Sequence, residues 1–443
     1  MTERDDSLLA RARDRISGND VLLVLGFALA VYIAYIGFSA VLGYDINGTV
    51  NTLRRITFLS AAYAMLALAL NLHWGYAGLF NVGVAGYMAV GVYGMGILAA
   101  PTTATPAGFG WPLPLAILGG MVLSAIVGLI TALPALRLKA DYLAIVTLAF
   151  SEIIRLTLLS QTLATVELGG KTYGTGGAQG LTLPGNPVRI LYYRNPADPT
   201  AGLTPLGEVV FGLFDTLSVP VISGTGVSST VVIGLTYAVV LVIFVGIFYW
   251  FLRRVSNSPF GRVLKAINED ETVTSALGKN TQLFKIKVFM VGTALMGLAA
   301  ILWQGSEGFT TPGEYMPLLT FYVFVALIIG GEGSNTGSVL GGATFAAILF
   351  EGPNYVRRVV RQVFAVKEAP PTFVDALGPL GSLDPLPLFA YTVYNIDALR
   401  LVLLGIVLIY LIQNRPEGLL GHRKEPAAAI SILGGRPEER NDE

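Results

Sequence analysis

Ten apolar runs, most of them close to the length a helix needs to cross lipid, dominate this chain. A membrane-spanning helix takes about 20 mostly apolar residues. The runs fall at 21–43, 56–73, 76–99, 112–134, 142–160, 228–252, 285–305, 317–331, 337–352 and 398–413. The eighth and ninth are short and separated by GGEGSNTG, which fits half-helices as well as full crossings. Only 13% of residues are charged and the mean hydropathy is +0.64, whereas a soluble domain carries about a quarter charged residues. The 52 glycines point the same way, because glycine is commoner in membrane helices than in soluble ones. The pattern predicts an all-α polytopic membrane protein of about ten transmembrane helices, some broken or short.

Positive charge gives the orientation. With the amino terminus inside, the cytoplasmic segments 1–20, 135–141, 253–287 and 414–443 hold 18 Lys and Arg. The external segments 44–55, 161–227 and 353–397 hold 9, a two-to-one bias in the expected direction. Both termini are therefore expected in the cytoplasm. The chain divides into a tail at 1–20, a first membrane half at 21–160 and an external insertion at 161–227. A second half follows at 228–352 with a cytoplasmic loop at 253–285, then a second external insertion at 353–397. A last span at 398–420 and a charged tail at 421–443 complete it.

Several function classes drop out. The net charge is zero, which argues against nucleic acid as a partner. There is no cysteine, so disulfides, iron–sulfur clusters and thiolate chemistry are excluded. His73 and His422 are the two histidines and lie far apart in sequence; no metal site is expected. No nucleophile–base constellation suggests an enzyme. TVELGGKT (165–172) ends like a phosphate-binding loop, but its first glycine position is Thr165 and no strand is expected before it.

One polar stretch interrupts the apolar runs: SPFGRVLKAINEDETVTSALGKN, residues 258–280. Ser258 followed by Pro259 is a helix start. Val263, Leu264 and Ile267 make a short apolar face. Asn268 reads as a second cap, followed by Glu269, Asp270 and Glu271, acids that suit the positive end of a helix dipole. Glu271 falls at the capping-box position. Val273, Ala276 and Leu277 continue the apolar face, and Gly278 with Lys279 supplies a stop. The residues alone admit two uses, a helix lying among lipid headgroups or one that docks a protein. Three consecutive acids disfavour the first.

The run from Pro259 to Gly278 resembles the cytoplasmic coupling loop of ABC-importer permeases, in the variant found in the branched-chain amino acid ABC transporter permease family. ALRLKADYLAIVTLAFSEIIR (135–155), TGGAQGL (175–181), LIIGGEGS (327–334) and RPEGLLG (415–421) match that family's pattern in order and spacing. The resemblance covers most of 54–421 apart from the insertions. It implies that the chain is a permease subunit in the plasma membrane, working by alternating access. It further implies a second related permease, two ABC ATPase subunits that hydrolyse ATP, and an external substrate-binding protein; no cofactor would be bound by this chain. The ATPase-coupling residues would be Asn268, Glu269, Asp270, Glu271, Ala276, Leu277 and Gly278. The family often has a serine and a histidine where this chain has Asn81 and Val84, which leaves the cargo open between branched-chain amino acids and urea or short-chain amides. An ion-coupled carrier is the more distant alternative, and it would favour buried carboxylates and lack a docking helix.

NLHWGYAGLFNVGVAGYMAVGVYG (71–94) is the most unusual membrane stretch. Its glycines permit close backbone approach, and transporters build substrate sites from broken helices. Asn71, Trp74, Gly75, Gly78, Asn81 and Gly83 are candidate path residues, although the same spacing also serves tight packing alone. GGEGSNTGSVLGG (330–342) echoes it loosely. Glu152 and Arg155 sit one helical turn apart in the fifth span and suit either a structural pair or a pathway role; Asp141 suits an interfacial cap.

The charge bias makes a direct forecast. A cysteine placed at Asn280 in this cysteine-free chain should resist an impermeant thiol reagent on intact cells and react once the membrane is opened. Labelling on intact cells would invert the orientation.

Overall fold

The computed structural model describes residues 20–136, 140–196, 198–217, 227–363, 369–382, 384–414 and 417–420. The expected tails up to residue 19 and from 421, and part of the loop at 135–141, lie outside the described residues.

The architecture is helical, and the helices that frame the site include α1 (Asp20–Val41), α2 (Ile46–Ala77), α3 (Val84–Ala99), α4 (Leu113–Ala135) and α5 (Ala140–Leu159). After the first insertion come α6 (Ser229–Ser256), α7 (Pro259–Glu269), α8 (Glu271–Ala276) and α9 (Thr281–Gln304). α10 (Pro317–Gly330), α11 (Asn335–Thr344), α12 (Gly352–Val363) and α13 (Ile396–Asn414) follow. Among the described residues six helices are long and apolar enough to cross a membrane, α1, α2, α4, α5, α6 and α9, or seven if the bent pair Leu386–Tyr394 and Ala398–Leu411 is one span. α3 and α10 are apolar but shorter. α10, at 14 residues, reaches about 21 Å against a hydrocarbon thickness of about 30 Å.

α2 is the hub. Its stretch Ala61–Leu70 is buried on every face, as a helix apolar all round must be. It packs against α6, α9, α10 and α11. α3, α4 and α9 form a second tight group in which glycines let backbones touch. A Cβ on Gly91 would lie 2.6 Å from Gly297 Cα, and one on Gly120 would lie 2.5 Å from Gly91 O. α1 lies at the edge, held by Tyr35, whose hydroxyl donates to Ala347 O at 2.5 Å.

Three boundaries differ from the sequence reading. α2 begins at Ile46 instead of 56, because Asp45 caps it by accepting from Gly48 N at 2.7 Å; most of the expected external segment 44–55 is helix. The third run starts as a helix only at Val84, since Gly78 at φ 63° ends α2 and residues 78–83 are not helical. The ninth run is not an isolated half-helix. α11 continues through a π-helical turn, Phe345–Glu351, directly into α12, so the second insertion opens as helix. Arg55 pairs with Glu351 at the end of that turn at 2.6 Å.

The only strands among the described residues are two short antiparallel ribbons, β1 (Val166–Leu168) with β2 (Lys171–Tyr173) and β3 (Leu181–Thr182) with β4 (Phe309–Thr310). The Gly-Lys-Thr segment is the β1–β2 hairpin, turned by Gly169 and Gly170 at φ 59° and 76°. It has no following helix of the kind that cradles phosphate. At the far end, Leu386–Tyr394 and Ala398–Leu411 meet at a bend of 82°.

The close approach of α3 and α9 predicts a contrast between glycines. Gly91→Leu should destabilise the detergent-solubilised protein by about 1–3 kcal/mol through overpacking, read as a lower melting temperature. Gly246→Leu on α6, with nothing within 4 Å of its Cβ position, should leave it unchanged.

Candidate functional site: a glycine break beneath a surface helix

Between α2 and α3 the backbone leaves helical geometry at 78–83 while still enclosed by protein. Inside a membrane every exposed backbone group needs a partner from protein. Three side chains supply partners. Thr147 Oγ1 on α5 accepts from Val82 N at 3.0 Å. Asn81 Oδ1 accepts from Gly83 N at 2.9 Å. Thr320 Oγ1 on α10 accepts from Ala85 N at 3.0 Å. These hydroxyl and amide groups satisfy the orphan N–H groups at the start of α3.

His73 anchors the break from beneath. Its Nε2 lies 3.2 Å from Val288 O and 3.1 Å from Phe289 O on α9. Asn81 Nδ2 lies 3.1 Å from His73 Nδ1. Two carbonyls around Nε2 require the proton there, which leaves Nδ1 to accept from Asn81. The ring stacks on Phe289 at 4.7 Å. Gly292 makes room, since a Cβ there would lie 2.0 Å from His73 Nε2.

A second break meets the first. Asn71 Oδ1 accepts from Gly333 N at 2.8 Å, and its Nδ2 faces Asn335 Oδ1 at 3.4 Å. Gly333 and Asn335 belong to the turn between α10 and α11 and the first residue of α11. Gly75 must be glycine, because its Cβ would lie 2.0 Å from Asn71 Oδ1 and 2.5 Å from Gly333 N. Trp74 packs beside the junction against Phe80 and Phe324, with ring centroids 5.3 and 5.2 Å away.

The surface helices sit directly on this junction. Ser258 starts α7 by accepting from Gly261 N at 3.2 Å, and Leu264 and Ile267 are buried. Lys265 Nζ lies 5.5 Å from the centre of the Tyr76 ring. Asn268 Nδ2 donates to Gly75 O at 3.3 Å. A Cβ on Gly78 would lie 2.3 Å from Asn268 Oδ1. The last turn of α7 therefore closes over the end of α2.

Two roles differ from the sequence reading. Asn268 is not a cap, because α7 runs on through Glu269. The cap is Asp270, in extended backbone at φ −155°, which accepts from Thr272 N at 2.8 Å and Val273 N at 3.0 Å. Glu271 is consequently the first residue of α8 instead of a capping-box partner. Its carboxylate pairs with Lys285 on α9 at 2.5 Å. Gly278 does terminate α8, at φ 80° with open space around its Cβ position. Glu269 and Ala276 are exposed, and Val273 and Leu277 expose 56% and 75% of their surface. This apolar face has no cover within the chain's described residues.

Asn71, Trp74, Gly75, Gly78, Asn81 and Gly83 are thus gathered in one place together with Asn268. Glu152 is not among them. It forms a two-bonded pair with Arg155 at 2.5 and 2.9 Å on α5, while its neighbour Ser151 faces the glycine segment, 2.7 Å from a Cβ on Gly86. Nothing is described of the Asp141 side chain. His73 was not a candidate in the sequence reading; the signal was its place beside Asn71 and Trp74, eight residues before Asn81 across a glycine-rich break.

Comparison with known proteins places these features in a family. Residues 52–364 match the family described as branched-chain amino acid transport system / permease component. The chain is 31% identical over 288 residues, 64% of its length, to the high-affinity branched-chain amino acid transport system permease protein LivM of Salmonella typhimurium. It is 30% identical over 297 residues to the Escherichia coli protein of the same description. A probable LivM of Methanocaldococcus jannaschii is 28% identical over 307 residues, covering 63% of this chain and 75% of that relative. The matches span 60% and 61% of the two enterobacterial relatives, so the chain covers about three fifths of their length. No solved structure matches the chain.

Two glycines separate strain from crowding. Gly278→Ala meets only an unfavourable positive φ and should cost about 1 kcal/mol. Gly78→Ala adds a collision with Asn268 and should cost clearly more. Equal shifts in melting temperature would show that the surface helix does not rest on the break.

Proposed function

The chain belongs to the branched-chain amino acid permease family, and from that premise we propose that it is one permease subunit of an ABC importer. Its partners are a second related permease, two ABC ATPase subunits and an external substrate-binding protein. ATP is hydrolysed in the ATPases, and this chain converts their movement into alternating access. It resides in the plasma membrane with both termini in the cytoplasm. Branched-chain amino acids are the cargo.

The observation that carries this reading is the hydrogen bond from Asn268 to Gly75 O at 3.3 Å. A docking helix needs a mechanical link to the membrane path, and here its last turn touches the glycine break itself. A second link runs from α8 through the Glu271–Lys285 pair to α9, whose Val288 and Phe289 carbonyls hold His73. The exposed Val273, Ala276 and Leu277 supply an apolar knob for a groove on an ATPase subunit.

The urea or amide alternative rested on Asn81 and Val84. In this structure Asn81 uses both of its polar ends on His73 and Gly83. The difference from the family pattern then concerns how the break is braced, and it gives no support to a change of cargo.

The test uses the complex reconstituted with both ATPases and the binding protein. Leu277→Asp places a charge on the knob and removes burial worth about 1.5–3 kcal/mol. Substrate-stimulated ATP hydrolysis should fall by about tenfold or more, with the binding protein's affinity for leucine unchanged. Stimulation at the wild-type level would remove the coupling role. Leucine uptake by the intact system should be inhibited by isoleucine and valine; inhibition by urea instead would favour the amide reading.

A further inference from the structure

The end of α6 carries a feature that the transport reading does not use. Trp250, Arg253, Arg254 and Asn257 stand at spacings of three, four and seven, so they line one face of the helix. With Ser258 and Pro259 they line an open cleft of about 520 Å³. α6 is 28 residues long, or about 42 Å, longer than the hydrocarbon layer of about 30 Å. Its apolar run ends at Leu252, fully buried, and the two arginines follow at once. The cleft therefore opens at the boundary between lipid tails and headgroups.

Three properties of this cleft point to one kind of occupant. Trp250 exposes 64% of its surface, in the position of the aromatic belt that marks the membrane interface. Arg253 and Arg254 are both exposed, and neither guanidinium has an ion-pair or hydrogen-bond partner among the described residues. A guanidinium presents paired N–H donors that match phosphate oxygens. The site is concave, so it offers a seat for a headgroup rather than a diffuse basic surface.

We propose that this cleft binds the phosphate headgroup of an anionic phospholipid of the phosphatidylglycerol type, with Arg253 and Arg254 on the phosphate and Trp250 beside the glycerol. The lipid comes from the leaflet on the side of α7. Because Ser258 and Pro259 also line the cleft, the bound headgroup lies beside the first turn of the coupling segment.

Native mass spectrometry of the full chain in detergent tests this, with equimolar phosphatidylglycerol and phosphatidylcholine as probes. Wild type should retain one phosphatidylglycerol with a preference of about tenfold or more over phosphatidylcholine, the size expected from two interfacial arginines. R253Q/R254Q should lose the preference and R253K/R254K should keep most of it. The Lys variant and the wild-type preference remain decisive should the Gln variant fold poorly. Equal retention of both lipids overturns the proposal. Displacement of phosphatidylglycerol by millimolar inorganic phosphate overturns it in favour of a free-anion site. Unchanged lipid retention in R253Q/R254Q with loss of ATPase co-purification overturns it in favour of a protein-docking surface.

Discussion

A break in a helix inside a membrane has no water to satisfy its backbone, and the rest of this structure is organised around meeting that demand at residues 78–83. Side chains from several elements meet backbone groups in and beside it: Thr147 from α5 takes Val82 N, Asn81 takes Gly83 N, Thr320 from α10 takes Ala85 N, and Asn268 from the surface helix α7 donates to Gly75 O. An unsatisfied backbone group in hydrocarbon costs several kcal/mol. The break therefore holds α5 and α10 together more strictly than apolar packing would, since lipid tails compete with apolar contacts and cannot replace these buried hydrogen bonds. Asn71 extends the same logic to the second break, where it takes up Gly333 N.

This arrangement gives a physical account of the coupling proposed above. α7 cannot shift along the end of α2 without breaking the bond to Gly75 O or opening the contact between Asn268 and Gly78. Nor can α9 move freely, because His73 takes two of its carbonyls and α8 holds it through Glu271 and Lys285. Force applied to the exposed face of α8 has two routes into the break, one direct and one through α9. Both end on residues that admit no larger side chain, Gly75 and Gly292.

Much of this was legible in the sequence, for reasons that can be named. The Ser258–Pro259 start and the Gly278 stop are local signals and appear as read, and the apolar runs appear as helices with the boundaries of the second, third and ninth shifted. The choice between Asn268 and Asp270 as the second cap was not legible. Both are good caps in the same short polar stretch, and tertiary contact with Gly75 draws Asn268 into the helix and leaves Asp270 to cap. The early start of α2 was hidden because Asn47–Arg55 is polar, and its helicity rests on the Asp45 cap and on Arg55 meeting Glu351 across the fold. The glycine segment announced close packing, but its partners lie far away in sequence, Asn268 being 193 residues from Gly75. No local pattern reports such a pairing. Glu152, singled out for its charge at depth, is matched by Arg155 one turn away and stands apart from the junction.

The central claim is that the surface helix and the glycine break act as one unit through the contact of Asn268 with Gly75 and Gly78. A double-mutant cycle on substrate-stimulated ATP hydrolysis in the reconstituted complex tests it most directly, using Asn268→Ala, Gly78→Ala and the pair. Residues that work through one contact give losses that overlap, typically by about 0.5–3 kcal/mol. The account predicts that the double variant is stimulated no less than the worse single variant. Losses that simply multiply would contradict it.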